Sequence, residues 1–81
     1  MQPDEIKAVL EAAIDQAQVQ VNSDDGRHIG VTIVSPAFEG LSPVKKQQLV
    51  YAALQEAISS GAIHAVQMKT LTPAEWAAQQ S

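Results

Sequence analysis

Gln18-Val19-Gln20-Val21-Asn22, Asp24-Asp25-Gly26 and Ile29-Gly30-Val31-Thr32-Ile33-Val34 set two apolar patterns on either side of a turn. In the first segment strict alternation puts Val19 and Val21 on one face of a half-buried strand. The middle segment has turn chemistry, since Gly tolerates positive φ and Asp tolerates the left-handed region. Ile29 to Val34 reads as a second strand, so the two segments are expected to form a hairpin.

Upstream of the hairpin, Ile6, Val9, Leu10, Ala13 and Ile14 recur at the spacing of one face of an amphipathic helix. Pro3 suits the first helical turn, and Asp4 and Glu5 favour its positive end. A first helix is therefore expected from about Pro3 to Gln16. Downstream, Ser35 to Leu41 is a turn-rich connection in which Phe38 reads as core and Gly40 as a turn. Ser42-Pro43 reads as an N-cap followed by Pro at the first helical position. Val44, Val50 or Tyr51, Leu54 and Ile58 form the stripe of a second helix that stops at Gly61, with Lys45, Lys46, Gln48, Gln55 and Glu56 largely outside it.

A third strand is expected over Ala65-Val66-Gln67-Met68-Lys69-Thr70, with Val66 and Met68 facing inward. Thr72-Pro73-Ala74-Glu75 combines an N-cap, Pro at the first turn and Glu three residues on, a capping box that opens a short last helix anchored by Trp76 and Ala77. Trp76 and Tyr51 are expected as core anchors with a polar edge at the surface. The order αββαβα makes an α+β domain, a three-stranded mixed sheet with helices on one face. The segment between strands two and three is long enough for a crossover, so strand three is expected parallel to strand two.

The whole chain, residues 1–81, reads as a single domain. A chain of this size buries roughly 60% of its unfolded surface, which allows one thin core and no deep, walled enzyme cleft. With no Cys there is no disulfide framework, no thiolate nucleophile and no iron–sulfur cluster held by the chain's own sulfur. No apolar run approaches the ~20 residues that span a bilayer, and the N-terminus lacks the order of a secretory signal, so a cytoplasmic protein is expected. Lys7, Arg27, Lys45, Lys46 and Lys69 stand against nine carboxylates, for a net charge of −4, a poor balance for binding nucleic acid. Ser35, Ser42, Ser59 and Ser60 have no His or acid at a spacing that suggests a nucleophile, and no hydrolase chemistry is assigned.

His28 and His64 are the two histidines, one just before strand two and the other just before strand three. Parallel neighbouring strands bring their starts to one edge of the sheet, with axes about 4.8 Å apart. Neutral imidazole binds Zn, Cu or Fe, and two at one rim make half of a four-coordinate site. Asp24 and Asp25 would complete a zinc site, although solvated turn residues are the plainer reading. An iron–sulfur cluster would have to be shared with a thiol-bearing partner.

Val34-Ser35, Phe38-Glu39-Gly40, Val44-Lys45-Lys46-Gln47-Gln48, Val50-Tyr51, Ile63-His64-Ala65-Val66 and Thr72-Pro73-Ala74-Glu75-Trp76 together resemble the BolA family, and within it the IbaG (YrbA-like) branch. The resemblance implies a class II KH-like fold and pairing with a monothiol glutaredoxin to share a [2Fe–2S] cluster. It makes His64 a cluster ligand and His28 the matching candidate for the second. The glutaredoxin's Cys and a bound glutathione thiol would supply the other two positions. By position after His64, Ala65, Thr72, Pro73, Glu75 and Trp76 are candidate partner-binding residues. Many family members carry Arg-His-Arg where this chain has Lys45-Lys46-Gln47, so the basic helix proposed in some relatives to contact DNA is weaker here. Without its partner the protein is expected as a monomer or weak homodimer.

The expected function is a non-enzymatic partner in iron–sulfur cluster trafficking or iron homeostasis. Because imidazole ligates only when neutral and its ordinary pKa is about 6.5, acidification should loosen such a cluster. The competing reading is a KH-like transcriptional regulator that binds DNA through Lys45, Lys46 and Lys69. Against it, Phe38-Glu39-Gly40 lacks the GxxG clamp that lets backbone approach phosphates.

Overall fold

Alternation in the first strand and the apolar run of the second produce the hairpin at the centre of the molecule. The computed structural model describes residues 2–23, 28–63 and 65–80. Its elements are α1 (Pro3–Ala13), β1 (Gln18–Ser23), β2 (His28–Val34), a single 3-10 turn (Pro36–Phe38), α2 (Pro43–Ser59), β3 (Ala65–Leu71) and α3 (Pro73–Gln80). β1 pairs with β2 antiparallel and β2 with β3 parallel, so β2 is central, as the crossover argument requires. The turn read at Asp24-Asp25-Gly26 lies outside the described residues.

One face of the sheet carries the core. Val19, Ile29, Val31 and Ile33 are buried there beneath Ile6, Leu10 and Ile14 from the first helical segment and Val50 and Leu54 from α2. Val66 and Met68 are partly buried against the same cluster, while Gln67 and Lys69 between them are exposed. α1 packs on β1 and on α2, α2 on β3, and α3 rests on β3 without burying any residue of its own.

Three readings of the apolar pattern need correction. Helix α1 ends at Ala13, not near Gln16. Ile14 turns extended (φ −114°, ψ 123°) and is buried there, Ala13 is exposed, and Gln16 takes a positive φ of 52° to reverse the chain. On α2 the inward side is Val50 and Leu54, leaving Val44 and Tyr51 62% and 45% exposed; neither is core. On α3, Trp76 is half-buried but Ala77 is exposed and anchors nothing.

The end of α1 is held by Ser35, a fully buried polar residue. Its hydroxyl donates to the Asp15 carbonyl (2.6 Å) and accepts from the Ala37 N–H (3.0 Å), and its own N–H donates to the Leu71 carbonyl (3.0 Å). One side chain thus ties the chain reversal after α1 to the start of the 3-10 turn, which buries Phe38 completely, and one backbone bond adds the end of β3. Gly40 follows at φ 78°, a conformation that costs Gly nothing.

Removing the hydroxyl would leave the Ala37 N–H and the Asp15 carbonyl without this partner in a part-buried site. Ser35→Ala is expected to lose about 1–3 kcal/mol of stability. Urea unfolding measures it; a loss of less than about half a kcal/mol would show that water replaces the hydroxyl.

Candidate functional site

Register decides what meets at the edge of the sheet where β2 and β3 begin. His28, the first residue of β2, is paired with Ala65, the first of β3, and each later pair follows in step to Val34 with Leu71. The antiparallel pairing brings the end of β1 to the same edge, with Ser23 opposite Ile29. His28 is exposed. His64 immediately precedes Ala65 in the sequence; it lies outside the described residues, as do Asp24 and Asp25.

Among the described residues no group of three or more His, Cys, Asp and Glu is placed to hold a metal ion. The donor chemistry this edge offers is imidazole, in a chain without a thiol.

The opposite end of the sheet is built differently. Thr72 and Glu75 form the expected capping box: the Glu75 N–H donates to Thr72 Oγ1 (3.2 Å) and the Thr72 N–H to Glu75 Oε1 (2.8 Å). Lys46 Nζ reaches the same carboxylate at 3.4 Å, with the lysine side chain 12% exposed, so α2 and α3 are joined where both begin. Trp76 lines a cleft of about 270 Å³ with Gln18, Gln20, Thr32 and Val34 and with Lys7 and Glu11 of α1.

Consequently the candidate partner residues divide between two places. Ala65 stands beside His28. Thr72, Pro73, Glu75 and Trp76 lie beyond the far end of β3, which over its seven residues carries the chain about 20 Å away. The cations divide as well. Lys45 is exposed near the start of α2, and Lys46 is tied to Glu75. Lys69 is exposed on the sheet face that alternates with the one α2 covers.

Two contributors are harder to read from the sequence. Ser35 reads as part of a turn-rich connection and not as a cap, although Ser35-Pro36 repeats the cap-then-Pro pattern of Ser42-Pro43, whose Ser42 Oγ accepts from the Lys45 N–H at 3.3 Å. The Lys46–Glu75 pair has no local signal, because its members are 29 residues apart.

A family model described as BolA-like protein matches residues 2–75. The chain is 49% identical over 77 residues to the acid stress protein IbaG of Escherichia coli strain K12, an alignment that covers 95% of this chain and 90% of that one. A bolA protein homologue from Coxiella burnetii superposes with a TM-score of 0.84 at 32% identity, covering 95% of this chain and 97% of the other. The BolA domain of SufE1 from Arabidopsis thaliana gives 0.80 at 38%, covering 90% and 93%. The three helices and mixed three-stranded sheet expected from the order of the elements match these structures.

The bond from the Thr72 N–H is the main cause holding the Glu75 carboxyl below the ordinary glutamate value of 4.5; desolvation opposes it and the Lys46 ammonium supports it. The unfolded carboxyl titrates at its ordinary value and the folded one lower. The stabilisation is therefore complete above the ordinary value and lost as pH falls through the folded one. NMR titration should show the Thr72 amide following Glu75 with a midpoint below 4.5, and Glu75→Gln should abolish that step. A Glu75 midpoint at or above the ordinary value would rule out this cap as the controlling contact.

Proposed function

The chain belongs to the BolA family, and we propose that it acts as a non-enzymatic cytoplasmic partner of a monothiol glutaredoxin, sharing a [2Fe–2S] cluster in iron–sulfur trafficking or iron homeostasis. The observation that carries this reading is the β2–β3 register, which sets His28 opposite the residue that directly follows His64 in the sequence. The chain's lack of cysteine supports it, because a shared cluster then draws its thiolates from the glutaredoxin Cys and glutathione.

In this reading His28 and His64 each offer a neutral ring nitrogen, and the β2–β3 ladder fixes the backbone from which His28 projects. The cluster supplies transferable, redox-active iron and sulfide. Imidazole in place of thiolate changes the charge at the iron, and with it the potential and lability of the bound cluster. It also makes ligation sensitive to acid, since the protonated ring has no lone pair to give. That property agrees with a relative named for acid stress. The nucleic-acid reading has less to stand on, with Lys46 committed to Glu75 and Lys69 on the alternate face of the sheet.

Reconstitution with a monothiol glutaredoxin, glutathione and iron tests the proposal, read by visible absorption and circular dichroism for the wild type, His64→Ala and His28→Ala. The mixture should show a spectrum distinct from that of glutaredoxin by itself. His64→Ala should abolish or alter it while far-ultraviolet dichroism stays native, and His28→Ala should grade the second ligand. Spectra identical to those of glutaredoxin alone throughout would remove shared ligation.

A further inference from the structure

Among the described residues, the large apolar side chains left exposed are Val44 and Tyr51, both on α2. They stand seven positions apart, and the half-buried Ile58 follows seven further on, a spacing that keeps side chains on one line along a helix. Gln48 and Gln55, each four residues after an apolar member, lie beside that line. Tyr51, Gln48, Gln55 and Ile58 help to line a shallow hollow of about 350 Å³ on the side of α2 turned away from the sheet. This strip carries no charge. Lys45 and Glu56, both exposed, border it on a single flank, and neither has an ion-pair partner among the described residues.

The strip is symmetric about its centre. Val44 and Ile58 are equidistant from Tyr51, while Lys45 stands six positions before it and Glu56 five after. If a second copy is laid antiparallel about a two-fold axis at Tyr51, Val44 meets Ile58 of the second copy and Tyr51 meets its own counterpart. Gln48 and Gln55 come within reach of the opposing amides. An axis of this kind keeps each flank beside its equivalent, so Lys45 of each copy faces Glu56 of the other. A parallel pairing about an axis along the helices would instead put the two charged flanks on opposite sides of the seam, where neither Lys45 nor Glu56 meets an opposite charge.

We propose that the outward face of α2 is a homodimer interface, closed by antiparallel pairing of two α2 helices about Tyr51 with reciprocal Lys45–Glu56 ion pairs. Such an isologous contact closes on itself and leaves the His28 edge to other partners. A helix of 17 residues is about 26 Å long. Pairing two of them buries an area at the small end of specific interfaces, so association is weak and reversible.

Sedimentation equilibrium with the full chain, from about 20 µM to about 1 mM, should show a monomer–dimer equilibrium with a Kd on the order of 100 µM. On dilution, amide shift changes in NMR spectra should concentrate in residues 44–59. Tyr51→Glu, a change at an exposed position, should weaken the dimer by at least about tenfold, and Glu56→Lys by about the same factor. The exchange Lys45→Glu with Glu56→Lys should restore wild-type affinity to within about threefold, since both pairs re-form with sign reversed. Far-ultraviolet dichroism confirms that each variant is folded. A monomer at the highest concentration would overturn the proposal, as would a dimer indifferent to Tyr51→Glu or a charge exchange that fails to restore association.

Discussion

The buried hydroxyl of Ser35 is the constraint on which the rest of the arrangement depends. By bonding to the Asp15 carbonyl it holds the chain where α1 has stopped and β1 has yet to start. By accepting from Ala37 it begins the turn that drives Phe38 into the core, while its backbone N–H meets the last carbonyl of β3. Three segments far apart in sequence are thereby fixed at one end of the sheet. With that end fixed, the parallel ladder of β2 and β3 runs in step from Val34 and Leu71 back to His28 and Ala65. A slip of one residue in β3 would turn Val66 and Met68 out of the core, so burial at the centre and hydrogen bonding at the end favour the same register.

The two ends of the sheet consequently have different characters. At the Ser35 end several polar groups are joined within the chain: Thr72 and Glu75 cap one another, and Lys46 brings α2 to the same carboxylate. At the other end His28 is exposed at the first position of the central strand. Its backbone is held by the ladder, yet its side chain is clear of the core, a combination that suits a ligand which must be positioned by the fold and reached by another molecule.

Much of this was legible in the sequence because each device is local. Alternation marked β1, an apolar run marked β2, and hydroxyl-then-Pro pairs at Ser42-Pro43 and Thr72-Pro73 marked the starts of α2 and α3. The third such pair, Ser35-Pro36, starts only a single turn, with no periodicity behind it to distinguish a cap from a bend. On α2 the pattern was ambiguous in itself, since Val44 and Tyr51 lie on one side and Val50 and Leu54 on the other, and both sides read as apolar. Only the sheet, by covering one of them, decides which is core. Helix α1 overran in the sequence because Ile14 keeps the helical spacing while leaving the helix; its side chain reaches the core from an extended backbone. Closeness in sequence is no guide to place here: Thr72 follows Ala65 by seven residues, but a strand is the element that carries a chain away fastest per residue.

Chain length sets what such a domain can do by itself. One sheet covered on one face by two helices makes a single core, and a domain of this size is better suited to contacts at its boundaries than to a deep, walled site. The exposed His28 at the start of the central strand offers one such boundary. The uncharged outer strip of α2, turned away from the sheet, offers another. Partners can thus be gained at one boundary while the geometry of the other, fixed from within by Ser35, stays unchanged.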